Sequence, residues 1–217
     1  MINIRIVQCA IEEIKNRNFG VMEEFMKIHE VVYQDGKPKI ERVDDEKEDG
    51  TGIIYFPVKN EKFYLAIYVN TVPEIAVAGV DIESNNCVYF KAYSDMSDAN
   101  ELSLMTRLKP TSIHNKRDKK KFGNGYYKNS VIRFEPNPEP DEFEDKLKKL
   151  LDFLEQDKEG IARLVDKANG FIQVVIIAHN GNTMLGGPHI DNESIQRMGA
   201  LNLGIDFDLY AEGNKWK

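Results

Sequence analysis

Four histidines, a run of lysines and a pair of aspartates hold most of this chain's chemical capacity. The histidines are His29, His114, His179 and His189, and no two form an HxH or HExxH pattern. His179 ends an apolar run and His189 follows a glycine-rich turn, so the two could approach each other with Asp191 as the nearby carboxylate. Two histidines and a carboxylate would suit zinc. A turn carrying ordinary polar residues is the plainer account, and no metal site is expected. Gly181, Gly186 and Gly187 lead into a helix that Asp191 would cap. Free amides at a helix N-terminus can hold phosphate. The spacing matches neither GxxxxGK[ST] nor GxGxxG, and Asp191 would repel an anion. A flexible turn is therefore expected there.

The basic segment is Lys116, Arg117, Lys119, Lys120 and Lys121, followed by Phe122, Tyr126 and Tyr127. Lysines attract phosphates and rings stack on bases, which suits single-stranded nucleic acid. The same charge suits an acidic protein partner reached by electrostatic steering. A solvated loop beside a strand is the plain alternative. Asp206 and Asp208 sit two apart on one strand face, about 6.6 Å from each other at the ordinary strand rise. Paired carboxylates can exchange protons or bind a cation. Charges on an edge strand, where they block edge-to-edge association, explain them as well. No serine, threonine or cysteine stands in a recognisable nucleophile setting. Catalysis is not expected, no catalytic residue is assigned, and no cofactor is implied.

Composition sets the frame for these residues. The chain has 217 residues, 41% of them hydrophobic, enough to bury a core without disulfide or metal staples. Cys9 and Cys87 lie far apart and read as free thiols of a reducing cytoplasm. No leader pattern opens the sequence and no apolar run approaches a membrane span. The net charge is −7, which argues against duplex nucleic acid as a general partner. The charge is uneven: residues 109–128 hold seven bases and one acid, leaving −13 for the remainder.

The elements that must position these residues follow from periodicity. Residues 86–93 (NCVYFKAY) read as a strand. Ser97 can cap a helix bearing Leu102, Met105 and Leu108, which Pro110 stops. Residues 111–125 read as a loop and 126–134 as a second strand. Pro136, Pro138 and Pro140 close that strand. A helix follows with Phe143, Leu147, Leu150, Leu151 and Leu154 as one apolar stripe. Ile161, Leu164, Val165 and Ala168 suit a second helix, ended by Gly170 in a left-handed conformation. Residues 171–178 (FIQVVIIA) are apolar on both faces and belong inside a sheet. Asp191 caps the next helix, and Leu203, Ile205, Phe207 and Leu209 alternate along a last strand.

The N-terminal part is read as strand-rich. Residues 2–7 suit a strand. Val21, Met22, Phe25, His29 and Val32 suit a helix, although Asp35-Gly36 could instead centre a hairpin. Residues 53–58 and 63–69 read as one hairpin, and 75–82 with 87–93 as another around Ser84-Asn85-Asn86. The expected fold is α+β: a two-layer sandwich of a mixed, largely antiparallel sheet covered by helices, with N-terminal hairpins extending that sheet. Residues 1–85 form a β-rich extension with one helix, residues 86–217 the α+β domain, and the two are expected to make one compact unit.

Three stretches carry a resemblance. They are Leu108-Lys109-Pro110-Thr111, the leucine-rich helix 141–155, and residues 194–210 (SIQRMGALNLGIDFDLY). From about residue 86 to 211 the chain resembles a bacterial family known as domain of unknown function 4279. The resemblance implies no established activity. Such domains are similar in style to small acidic immunity proteins that bind and block one toxin. The expectation is a non-enzymatic protein-binding protein of the cytoplasm, with a toxin as one form of partner. The alternatives are binding of single strands through residues 116–128, or an enzyme without a recognisable motif.

Overall fold

The computed structural model describes residues 2–47, 49–121, 123–181 and 187–214. The chain divides into two compact units. The first comprises residues 1–85, 176–186 and 209–217, and the second residues 86–175 and 187–208.

The first unit opens with two helices, α1 (Ile2–Asn16) and α2 (Gly20–Ile28). The strand expected over residues 2–7 is helical instead. Its apolar residues belong to a longer 3.6-residue pattern in which Ile6, Ala10 and Ile14 recur every fourth position, and all three are buried. Glu13 closes the turn between the helices: its carboxylate accepts from the Asn18 side chain (2.9 Å) and the Phe19 amide (3.0 Å). The helix covers Val21, Met22 and Phe25 but stops at Ile28, short of His29 and Val32, and the hairpin read as its alternative follows. Strands β1 (Tyr33–Gln34) and β2 (Lys37–Pro38) pair around Asp35 (φ 51°) and Gly36 (φ 74°). Two consecutive left-handed residues make the tight turn that matches strand twist.

Strands β3 (Arg42–Asp44), β4 (Thr51–Pro57), β5 (Tyr64–Asn70) and β6 (Ala76–Glu83) form an antiparallel sheet in sequence order. Ile54, Phe56, Leu65, Ile67, Val69, Val80 and Ile82 meet Ile6, Ala10, Ile14, Met22 and Phe25 in one core. Ile53, Tyr55 and Ala66, on alternate positions, form a smaller cluster.

Strand β7 (Asn85–Ser94) begins the second sheet, whose order is β11-β10-β7-β9-β8. The hairpin expected between β6 and β7 does not form, and the N-terminal strands make their own sheet rather than extending this one. Residues 84–86 all have negative φ, so the tight reversal has no left-handed residue to build on. Asn86 is buried, and its side chain donates to the Asp141 carbonyl (3.1 Å). The short helix α3 (Ala99–Ser103) is capped by Asp98 with Glu101 in a capping box, not by Ser97. Ser97 instead donates its amide to Ser94 Oγ (3.0 Å).

Strand β8 (Ser112–His114) lies within the expected loop and pairs with β9 (Ser130–Phe134), itself antiparallel to β7. The apolar stripe of α4 (Phe143–Leu154) is buried as its spacing requires. A 3-10 turn leads into α5 (Lys158–Ala168). Asp157 ties this junction together, accepting from the Thr106 hydroxyl (2.7 Å), the Arg107 amide (2.6 Å) and the Gly160 amide (3.2 Å). Burial alone would raise its carboxyl pKa, but these donors hold it below the usual range.

Strand β10 (Phe171–His179) takes an interior place, and α6 (Asn192–Ala200) connects it to β11 (Ile205–Glu212) at the edge. Ile172 N donates to Gly204 O (2.9 Å) and Asn180 N to Glu212 O (2.7 Å). The two bonds advance equally along both strands, so β11 is parallel to β10.

The left-handed residue after α5 is Asn169 (φ 44°), not Gly170. Gly170 is required for a different reason: a Cβ there would lie 2.6 Å from Phe90 Cζ. Gly170→Ala should therefore lower stability by about 1–3 kcal/mol, the ordinary cost of overpacking, measured by urea unfolding. An unchanged midpoint would mean that the Phe90 ring yields freely.

Candidate functional site

The lysine-rich segment is built as a hairpin between β8 and β9. Its root is fixed by Thr111, whose amide donates to Arg133 O (2.7 Å) and whose hydroxyl accepts from the Glu135 amide (2.9 Å). Asp118 turns the chain: its carboxylate accepts from the Asn115 amide (2.7 Å), and its own carbonyl accepts from Tyr127 N (2.9 Å). Arg117 takes a left-handed φ of 74° and donates its amide to Tyr127 O (2.9 Å). Lys119 bridges to Tyr126, and Lys120 N donates to Gly125 O (2.9 Å). Residues 116–121 and 123–128 thus form a laddered projection, whereas the low periodicity of the sequence predicts a loop up to residue 125.

This ladder decides what each side chain can offer. Arg117, Lys119, Lys120 and Lys121 are exposed, and none of the four makes an ion pair among the described residues. Lys116 is a tether: its ammonium donates to Asp95 O (3.0 Å) and its amide to Ser130 Oγ (3.1 Å). Tyr126 is 65% exposed. Tyr127 is half-buried with its ring stacked on His114, centroids 3.6 Å apart. Burial lowers the His114 pKa, Asp118 opposing and Lys91 assisting. Phe122 lies outside the described residues. Met96, beside the carbonyl that holds Lys116, is 89% exposed, an apolar residue that composition alone did not single out.

Asp206 and Asp208 stand exposed on β11, the opposite edge of the sheet from β8. The structure does not bring them to the basic hairpin. Gln173 Nε2 donates weakly to Asp208 Oδ2 (3.3 Å) and to Asp206 O (3.4 Å), and Phe207 N donates to Asp206 Oδ1 (3.0 Å).

The family model described as Domain of unknown function (DUF4279) matches residues 83–212, more than half the chain. The chain belongs to this family. No curated protein and no solved structure matches it. The DUF4279 match takes in all five strands of the second sheet, the hairpin and both aspartates. It starts as β6 ends and stops at the last residue of β11.

Within the DUF4279 range lies one histidine whose partner is outside it. His179 does not pair with His189; its ring nitrogen Nε2 is 2.9 Å from His29 Nε2. Both rings are buried, and their edges meet Phe63. Sequence distance hid this pair, since 150 residues separate its members. His189 is held elsewhere, its amide donating to Glu144 Oε1 (2.9 Å). Asp191 caps α6 through the Ser194 amide (2.7 Å), and the glycine turn before it lies largely outside the described residues. His179 Nδ1 accepts from the Gly181 amide (3.3 Å). Burial pushes both the Cys9 and Cys87 thiols up.

The hairpin's order depends on Asp118. Asp118→Ala should quicken amide exchange at Asn115 and Tyr127 by about tenfold or more while leaving β7 amides unchanged, read by hydrogen–deuterium exchange. Unchanged exchange at both positions would show that the ladder is held without it.

Proposed function

We propose that this protein is a non-enzymatic binding protein whose basic hairpin, residues 116–128, docks on an acidic face of a protein partner. The observation that carries the reading is the order of the projection. Arg117, Lys119, Lys120 and Lys121 are held outward on a hydrogen-bonded ladder, so little conformational entropy is lost when a partner meets them. Exposed Tyr126 and Met96 supply apolar contact area of the kind that anchors interfaces.

Single-stranded nucleic acid shares the electrostatic requirement but needs a row of open ring faces. Among the described residues of the hairpin only Tyr126 offers one, because Tyr127 is stacked on His114. The withdrawal of Tyr127 onto His114 supports the protein reading over nucleic acid. The narrower form of the reading is an immunity-type inhibitor of a toxin. It is supported by the excess acid of the rest of the chain.

The test is affinity capture with the wild-type chain and with R117E/K119E/K120E/K121E as a matched control. The reading expects a protein partner retained by the wild type, weakened about tenfold or more by the charge reversal and by added salt. Equal recovery with both baits, or recovery of RNA alone with loss on Tyr126→Ala, would contradict it. The immunity-type form adds one expectation: the purified chain abolishes the activity of the captured partner at equimolar ratio.

A further inference from the structure

We propose that His29 and His179, together with the main-chain carbonyl of Asn214, form a binding site for zinc or a closely related divalent transition ion. The three residues come from separate parts of the first unit: the C-cap of α2, the last residue of β10 and the segment after β11. Their donor atoms converge. His29 Nε2 lies 2.9 Å from His179 Nε2, and Asn214 O lies 2.7 Å from the same atom. The Asn214 carbonyl acts on both rings.

The spacing is that of ligands on one ion. Bonds of about 2.1 Å meeting at right angles hold neighbouring donors about 3.0 Å apart. The two separations match that value. Right-angled ligands leave further positions to fill, and water can reach them from the side of exposed Asn214. Imidazole nitrogens favour late first-row ions, while calcium and magnesium take oxygen donors.

The surroundings hold the donors in place. Phe63 packs against both imidazoles, its ring centroid 5.3 Å from that of His29 and 5.0 Å from that of His179. Gly213 brings the carbonyl in. Its φ of 91° and the 2.7 Å that a Cβ would leave to Phe63 allow only glycine. Asn214 Nδ2 secures the same residue by donating to Ile28 O (3.1 Å). Glu61 stands on the Nδ1 side of His29, 3.9 Å away, where a carboxylate orients a ligating ring. Burial, joined at His29 by the neighbouring ring, lowers both histidine pKa values below the ordinary 6.5, against the opposing Asn214 carbonyl. Both rings are then neutral donors at neutral pH, the form that binds metal.

One contact must yield. A neutral ring bound through Nε2 carries its hydrogen on Nδ1, whereas His179 Nδ1 faces the Gly181 amide at 3.3 Å. Ion binding therefore breaks that weak bond. His29 and Asn214 both lie outside the residues matched to DUF4279, and neither belongs to the basic hairpin.

Calorimetric titration of the full chain with zinc at about pH 7.5 should show about one equivalent bound. His29→Gln and His179→Gln should each weaken that binding by about tenfold or more, and His189→Gln should leave it unchanged. Should the variants fail to fold, the wild type carries the test alone: saturating zinc should quicken amide exchange at Gly181. No bound zinc, binding that survives both His29→Gln and His179→Gln, loss of binding on His189→Gln, or Gly181 exchange indifferent to zinc overturns the proposal.

Discussion

The pairing of β9 on both its edges is the constraint on which the second unit depends. One edge of β9 takes β7 and the other takes β8, so the five residues from Ser130 to Phe134 fix the register of three strands. Ile132 and Phe134 face the core, where Phe134 meets Phe90 and Phe153. A one-residue slip would put both on the wrong face, so the register is held by burial. Once it is set, the chain between β8 and β9 has no choice but to project beyond the edge of the sheet. The charge of that projection is a property of sequence, and its direction is a property of the pairing.

Buried polar groups secure the same unit. Lys146 is almost fully buried on the apolar helix α4, a place where a lone ammonium would be costly. Its ammonium donates to Asn137 O (2.8 Å) and Glu139 O (2.5 Å), which anchors the proline-rich passage into the helix. Asp157 acts likewise at the junction of α4 and α5, and Asn86 at the start of β7. Arg197, in the closing stretch that carries the family resemblance, joins α6 to α4 through Glu155 (2.8 Å) and Asp152 (2.6 Å). In each case a polar group is tolerated inside because its partners come from elements that must meet for the fold to close. No helix among the described residues is long and apolar enough to cross a membrane.

Much of this was legible in residue order, and what was not has physical reasons. The stripe on α4, the doubly buried β10 and the Asp191 cap follow from local period and chemistry, and each stands where its pattern places it. Residues 2–7 misled because six residues of alternating character fit two periods, and only the recurrence through Ile14 separates them. The extended reading of residues 111–125 as a loop failed because a ladder of main-chain bonds leaves no mark on side-chain hydropathy. Ser97 lost the cap to its neighbour Asp98, a one-residue difference that propensity does not resolve. His29 and His179 were both noticed but not joined, since their meeting is set by tertiary structure. The basic hairpin could be found from charge alone; that Tyr127 is withdrawn onto His114 could not.

The proposed docking of a partner on the ordered basic hairpin makes the lysines of that hairpin its points of contact. Amine-directed crosslinking of the captured complex, read by mass spectrometry, tests it most directly. Docking there predicts crosslinks concentrated at Lys119, Lys120 and Lys121, with Lys15 and Lys27 of the N-terminal helices unlinked. Crosslinks spread over those helices, with the hairpin lysines still freely modified in the complex, would contradict it.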